Sequence, residues 1–490
     1  MSPTVDKLII EETSSIREVL ALIDANALGV AFVVGAGGRL VGVCTDGDIR
    51  RALLAGASVD MPVGPAVQRR FESASVDSSR EDVVSRLSAR IRVIPLLDAT
   101  GRPVDYASLG RSHALPVMEP SLDGNELDYL VECVTSGWIS SQGPFVKRFE
   151  AAFAEYLGVP EAIAVSNGTV ALHLALAALD IGPGDEVIVP DFTFAASINA
   201  VLYCGATPVI ADVAREAWTI DAGQISDLVT ARTRAIMPVH LYGQSADMGA
   251  IEAVAKANGL LVVEDAAEAL AATYNGRMVG SIGDAGTFSF FGNKLITTGE
   301  GGMVVFREPA AAARARRLRD HGMDPNRRYW HQEVGYNYRL TNLQAAIGTA
   351  QLERIDKFVA AKRSLARQYR EQLGDIPGLS FPLELPGTDS ICWLFSMLVD
   401  PIAAGLSRDD LAERLKLNGI ETRPLFFPLH VMPPYQRFAT GRSFPNTDLV
   451  SANGISLPSS VTLSQSQIDH VCTVVKQVFS TARVRRLAVA

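Results

Sequence analysis

Short apolar runs of strand length recur through the middle of the chain, and segments of helical length lie between most of them. Ala162–Val165, Glu186–Pro190, Thr207–Ala211, Ala235–Val239 and Leu261–Glu264 are such runs, each ending in polar or turn residues. Runs this short and this apolar suit strands buried on both faces. The βαβ rhythm therefore predicts an α/β domain with a mostly parallel sheet and helices on both faces. Helices are expected at Asn125–Ser136, at the amphipathic Val146–Leu157 with Phe149, Phe153 and Tyr156 near one face, and in the Ala/Leu-rich segment ending at Leu179. From about Ile376 onward, a strand-like Cys392–Val399 and a helix-like Ser407–Leu417 predict a smaller α+β domain.

The start of the chain has a different texture. Val30–Val34, the turn Gly35-Ala-Gly-Gly and Leu40–Cys44 read as a hairpin, and Ile49–Leu54 has helical spacing with Thr45 or Asp46 as its cap. Val93–Leu97, the turn at Asp98-Ala-Thr-Gly101 and Pro103–Ser108 repeat that unit, which suggests an internal duplication. His113–Pro120, with two prolines and no period, reads as a linker. The expected division is 1–112, 113–375 with an N-terminal arm, and 376–490.

At 490 residues, two or three domains are expected. A net charge of −9 argues against nucleic-acid binding, which needs a basic surface. Cys44, Cys133, Cys204, Cys392 and Cys472 are dispersed without C-x-x-C spacing, which fits reduced thiols and no metal framework. No apolar stretch approaches the roughly 18 residues of a membrane span, and the N-terminus has no signal-peptide pattern. A soluble, cytoplasmic protein is expected.

Three local features could carry chemistry. Ser166-Asn-Gly-Thr169 joins a strand to a helix, where free N–H groups form an anion site or simply need capping. Val262-Val-Glu-Asp265 ends a strand with a carboxylate at the sheet edge, a ligand position or again a cap. Thr287-Phe-Ser-Phe-Phe-Gly-Asn-Lys294 puts a lysine after an apolar run, and Thr297-Thr-Gly-Glu-Gly-Gly302 follows as a Gly-rich turn before Met303–Phe306. A lysine near the end of an apolar strand is costly unless paired or covalently used, and desolvation favours the nucleophilic free amine.

Two resemblances organise these features. Gly42-Val-Cys-Thr-Asp-Gly-Asp-Ile-Arg-Arg51 looks like the end of a CBS motif, a module that usually works in pairs and often binds adenine nucleotides. The resemblance implies that Thr45 and Asp48 hold the ribose of an adenine or guanine nucleotide, while the cap reading stands beside it. Val104-Asp-Tyr-Ala-Ser108 in the second copy has no Thr-x-x-Asp.

From about Leu115 to the end, the chain resembles the fold-type I pyridoxal 5'-phosphate (PLP) enzymes of the DegT/DnrJ/EryC1/StrS family. The resemblance rests on Ser136-Gly-Trp-Ile-Ser-Ser-Gln-Gly-Pro-Phe-Val146, Val189-Pro-Asp-Phe-Thr-Phe194, Glu264-Asp-Ala-Ala-Glu268, Ser289-Phe-Phe-Gly-Asn-Lys294 and Gly335-Tyr-Asn-Tyr-Arg-Leu-Thr-Asn342. It implies a sugar aminotransferase with PLP as cofactor and pyridoxamine phosphate as its intermediate form. Lys294 would bind the cofactor and move the proton, Asp265 would pair with the pyridine nitrogen, and Glu268 would lie near the ring hydroxyl. Phe194 would stack on the ring, and Gly168, Thr169 and Ser289 would hold the phosphate. Asn337 would reach the phosphate from a neighbouring subunit, which implies a homodimer or a higher oligomer with shared sites. Phe290-Phe-Gly-Asn-Lys-Leu-Ile-Thr-Thr-Gly-Glu-Gly-Gly302, Arg328-Tyr-Trp-His331 and Arg423-Pro-Leu-Phe-Phe-Pro-Leu-His-Val-Met-Pro-Pro-Tyr435 look like the family members that aminate a GDP-linked 4-keto-6-deoxymannose with glutamate. His331, Arg423 and His430 are then candidate substrate contacts, or else interface and packing residues. A dehydratase of the same fold carries His in place of the lysine, so Lys294 speaks against it. An aminotransferase for another, UDP- or dTDP-linked, 4-keto sugar is one alternative, and a nucleotide sensor with an inactive aminotransferase fold is the alternative of another class.

Overall fold

A computed structural model describes residues 4–26, 28–78, 80–88, 91–108 and 115–489. The chain divides into two compact units, Met1–Leu115 with Leu415–Glu421, and Pro116–Arg414 with Thr422–Ala490. The boundary expected at residue 112 and the first part of the linker lie outside the described residues.

The first unit contains two three-stranded sheets. β1 (Ile9–Glu11) runs parallel to β2 (Val30–Val34), which pairs antiparallel with β3 (Leu40–Thr45). α1 (Ile16–Asn26) and α2 (Asp46–Leu54) pack on this sheet through Ile16, Val19, Ile23 and Ile49. β4 (Ala74–Ser75), α3 (Arg80–Arg86), β5 (Val93–Leu97) and β6 (Pro103–Ser108) repeat the arrangement: β4 parallel to β5, β5 antiparallel to β6. The same pairing order in both halves gives the expected duplication a geometric form.

The second unit starts with α4 (Glu126–Ser136) and α5 (Pro144–Leu157). Next come β7 (Ala162–Val165), α6 (Gly168–Ala178), β8 (Glu186–Pro190), α7 (Ala196–Tyr203), β9 (Thr207–Ala211), β10 (Thr233–Ile236) and β11 (Leu261–Asp265). A small ribbon, β12 (Thr273–Tyr274) and β13 (Arg277–Met278), precedes β14 (Ala285–Ser289) and β15 (Gly302–Phe306). The main sheet has the order β7-β15-β14-β11-β10-β8-β9 and is parallel except at β15, which is antiparallel to both neighbours. Later come β16 (Leu379–Ser380), β17 (Thr388–Asp389), β18 (Ser396–Val399), β19 (Arg423–Pro424) and β20 (Gly454–Ser456). β17 joins the small ribbon, and the other four form an antiparallel sheet in the order β16-β18-β20-β19.

Side-chain alternation divides the main core in two. Ala162, Ala164 and Ile188 face one side with Phe149 and Phe153 of α5, while Ile163, Val165, Val187 and Val189 face α6. α6 is apolar nearly all round and almost wholly buried, as a helix with that composition has to be. Burial on both faces explains why the strands read as continuous apolar runs.

Three expected strands differ in extent. The run Ala235–Val239 is a strand only to Ile236, since Pro238 has no N–H for the ladder; its carbonyl instead accepts from Asp265 N at 2.9 Å. The run Phe288–Phe291 leaves the sheet after Ser289, which pairs with Gly302. Phe290 still turns into the core against Phe149 and Phe153 (centroids 5.2 and 5.7 Å), so Lys294 lies in an anchored turn rather than at a strand end. Cys392 has φ +48°, so the strand of the C-terminal region begins only at Ser396. Among the described residues no helix is long and apolar enough to cross a membrane.

Candidate active site

β7, β8, β11 and β14 run the same way, so their C-terminal ends share one edge of the sheet. That edge collects Ser166–Thr169, Phe194, Asp265 and Ser289, and the turn carrying Lys294 follows directly from it. Ligands of open α/β sheets bind at this edge because the helix N-termini point there.

The turn between β7 and α6 is built for close approach. Asn167 caps α6 by accepting from Val170 N at 3.0 Å, and the first turn has no acidic residue. Gly168 is pressed against Ser289: a Cβ added there would lie 2.8 Å from the Ser289 Cβ. A hydroxyl and a helix N-terminus thus meet with no side chain between them, which is an anion cradle. Among the described residues the Ser289 hydroxyl has only a long internal bond, accepting from Phe291 N at 3.4 Å.

Two buried carboxyls and one amine form the centre. Asp265 accepts from the Ser197 hydroxyl at 2.7 Å and from Ala267 N at 3.1 Å, and Ser197 bonds Thr193 at 2.9 Å. Burial pushes the Asp265 carboxyl above its ordinary range, against the pull of Ser197, the Ala267 N–H and the Lys294 charge. Glu268 accepts from Tyr242 N at 2.9 Å and faces Lys294 Nζ at 3.5 Å. Burial raises Glu268 as well, with Lys294 the largest opposing influence. The Lys294 Nζ lies 3.9 Å from the centroid of the Trp393 ring. Among the described residues Asp265 has no ion pair, so this buried carboxylate is short of a counter-charge.

The surrounding side chains are aromatic. Tyr242 stacks on Trp393 (6.1 Å, 10°) and on Phe426 (5.5 Å, 21°), and Phe426 also approaches Phe194 at 6.0 Å. Tyr242 has φ +52°, a left-handed conformation that costs a non-glycine residue about 1–2 kcal/mol. Its backbone N–H points at Glu268 as a result. Phe194 is 60% exposed, a free ring face at the mouth of the site.

The other expected site residues have partners of their own. Asn337 is exposed and accepts from Arg339 Nε at 3.0 Å; its segment runs beside β7, where Ser166 N donates to Tyr338 O at 2.9 Å. His331 is exposed with Nδ1 2.8 Å from the His321 carbonyl. Arg423 is exposed on β19, paired with Ser456. His430 is held by Asp191, through Nδ1 at 2.6 Å and its backbone N–H at 2.8 Å, and it stacks on Phe444. In the first unit Thr45 and Asp48 form a capping box on α2, and Asp48 also accepts from Gln68 at 2.9 Å and from Arg51. Ser197, Tyr242 and Trp393 were not expected. Ser197 lies one helical turn after Thr193 and could have been found by that spacing; the other two have no local signal.

Comparison with known proteins agrees with the geometry. The model of the DegT/DnrJ/EryC1/StrS aminotransferase family matches residues 120–476, and the CBS domain model matches residues 1–55. The chain is 50% identical over 367 residues to a GDP-perosamine synthase of Caulobacter vibrioides, covering 74% of this chain and 98% of that one. It is 46% identical over 366 residues to a GDP-perosamine synthase of Vibrio cholerae, covering 75% and 99%. Among solved structures, the PLP form of the putative sugar aminotransferase Spr1654 from Streptococcus pneumoniae superposes with a TM-score of 0.70 at 27% identity, covering 75% and 99%. The chain belongs to the DegT/DnrJ/EryC1/StrS aminotransferase family and is a PLP-dependent sugar aminotransferase with a CBS domain at its N-terminus.

Proposed function

We propose that this enzyme transfers the amino group of glutamate to the C4 ketone of GDP-4-keto-6-deoxymannose, giving GDP-perosamine. The observation that carries this reading is the 50% identity to a GDP-perosamine synthase across 98% of its length. The residues present fit PLP. Gly168 and Ser289 leave room for a phosphate at the N-terminus of α6, and Asp265 is a buried carboxyl that among the described residues makes no ion pair. Gly168, Thr169 and Ser289 would hold the phosphate, Asp265 the ring nitrogen, Phe194 the ring face, and Glu268 the neighbourhood of the ring hydroxyl. When bound, the cofactor supplies an electron sink for the carbon that loses a proton.

The chain's own residues do the rest. Lys294 Nζ is the proton carrier: it takes the α-proton of glutamate and later returns a proton at C4 of the sugar. Glu268, 3.5 Å away, limits where that amine can go. Ser197 keeps Asp265 aimed by holding one carboxylate oxygen at 2.7 Å. His331, Arg423 and His430 are proposed substrate contacts, and the Arg423 charge reaches the Tyr242 hydroxyl. Asn337 would serve the site of a second copy. Leu127, Val131, Val134 and Trp138, exposed in the single chain along one stretch of α4 and its end, support a homodimer that covers them.

Mass spectrometry of products from a panel of 4-keto nucleotide sugars with glutamate tests the proposal. GDP-4-keto-6-deoxymannose is expected to be aminated fastest, and turnover of a UDP- or dTDP-linked sugar in preference would overturn that choice. Lys294→Ala is expected to lower turnover by about a thousandfold or more, as loss of a proton carrier does. The CBS match supports one further reading, confined to the first unit: an adenine or guanine nucleotide at Thr45 and Asp48 that tunes activity.

A further inference from the structure

Trp393 is buried and sits about a hundred residues from Lys294 in sequence, yet it is fixed against the lysine turn from several sides. Its indole N–H donates to the carbonyl of Asn293, the residue before Lys294, at 2.7 Å. Its backbone N–H donates to the Tyr242 carbonyl at 3.0 Å, and its ring stacks on the Tyr242 ring. Its own carbonyl accepts from Lys362 Nζ at 2.6 Å. Lys362 is fully buried, also donates to the Ser459 carbonyl, and among the described residues has no carboxylate partner. Burial pushes its ammonium down to about 7, so this amine is placed for its backbone contacts at an electrostatic cost.

The result is a rigid indole face 3.9 Å from the Lys294 Nζ. An aromatic face attracts an ammonium through its quadrupole but cannot accept the proton. A carboxylate at the same distance could do both. The same Nζ already faces Glu268 at 3.5 Å and lies within range of the Asp265 charge, so on its flexible stem the amine is shared between the ring face and one buried acid, and the ring holds it back from closing further on either acid.

We propose that Trp393 is a positioning residue for the transamination: its indole face is the resting place of the Lys294 ammonium whenever that amine is free, and keeps it aimed at the reacting carbon without taking its proton. This rests on the reading that Lys294 carries the proton. In the full-length chain, Trp393→Phe keeps a ring face and loses the N–H, while Trp393→Leu removes the face. In the cofactor-free chain, the rate at which Lys294 takes a lysine-directed acylating label, read by mass spectrometry, is expected to rise about fivefold in Trp393→Leu and to stay within about twofold in Trp393→Phe. With α-deuterated glutamate, the isotope effect on kcat is expected to increase in the order wild type, Phe, Leu, with the KM for glutamate within about twofold throughout. A Leu variant with wild-type labelling and a wild-type isotope effect would overturn the proposal even if kcat falls, because Trp393 would then be a packing residue only. Should the Leu variant fail to fold, the Phe variant decides: an isotope effect above wild type supports the proposal and an unchanged one overturns it. Wild-type enzyme inert to glutamate would refute the functional reading instead, and the labelling rates would still decide on Trp393.

Discussion

Two strand–turn–helix junctions in this chain look alike in sequence and behave differently. β3 passes through Thr45-Asp-Gly-Asp48 into α2, and β7 passes through Ser166-Asn-Gly-Thr169 into α6. At the first, Thr45 and Asp48 cap each other, Asp46 adds a second acid to the first turn, and the positive end of the helix is neutralised from within. At the second, Asn167 satisfies one N–H, no acid follows, and Gly168 opens the rest toward Ser289. The carboxyls nearby differ in the same way. Burial works against the Asp48 carboxylate, but hydrogen bonds from Thr45, Gln68 and Arg51 together outweigh it and hold the group below its ordinary range. Burial dominates at Asp265 and raises it. The lesson is that a glycine-bearing junction becomes a ligand site when its helix terminus and nearest acid are left unsatisfied by the chain itself.

The largest effect that would break this comparison comes from its two glycines. Gly168→Ala forces a methyl against Ser289 and is expected to weaken PLP binding about 10- to 100-fold, in line with an overpacking cost of about 1–3 kcal/mol. Gly47→Ala meets only Arg51 Nη1 at 3.5 Å and Thr45 Oγ1 at 3.7 Å, so it is expected to stabilise the first unit by about 0.5–1 kcal/mol. Titration of the cofactor-free chain with PLP and denaturant melts of both variants measure the contrast; similar effects of the two glycines on PLP affinity would erase it.

A smaller effect concerns Asp48. Removing the capping box in Asp48→Ala is expected to cost the first unit about 1–2 kcal/mol, seen as a lower unfolding midpoint. An adenine or guanine nucleotide is expected to raise the midpoint of the wild type and not that of Asp48→Ala. No shift with any nucleotide in either protein would leave Thr45 and Asp48 as a helix cap alone.

The smallest effect is in pH dependence, and the two acids have opposite signs. Asp48, lowered in the fold, contributes stability above its unfolded value of 3.8 that is lost as pH falls through its folded value. Asp265, raised in the fold, favours the native state below 3.8, and that contribution is lost as pH rises through its raised value. Asp265→Asn should therefore flatten the stability loss on the alkaline side of that window, and Asp48→Asn the loss on the acid side, in unfolding curves recorded from pH 3 to 7.

Much of the scaffold was readable from the chain alone. Continuous apolar runs at β7, β8, β9 and β11 identify doubly buried strands because burial on both faces removes the need for alternation. Chain order also brought Gly168, Asp265 and Lys294 together as candidates, since the C-terminal ends of parallel strands share one edge. β10 ends three residues before the apolar run does because Pro238 withdraws a donor from the ladder, a signal that stands in the sequence. The turn holding Lys294 was less legible: Phe290 continues the apolar pattern of β14 but packs against Phe149 and Phe153 of a distant helix.

Sequence by itself determined which residues are able to do the chemistry: an amine, two acids and a glycine turn at the ends of buried strands. Tertiary structure alone decided what each of them faces. The Lys294 ammonium meets Trp393, Glu268 meets the backbone of a left-handed Tyr242, and Asp265 meets Ser197. Asp48, by contrast, meets among the described residues its own neighbours and Gln68. Strand and helix patterns are set by local periodicity, whereas these contacts join segments 26 to about a hundred residues apart. Charge and quadrupole interactions act through space at a few ångströms, so they are fixed only once packing has brought those segments together.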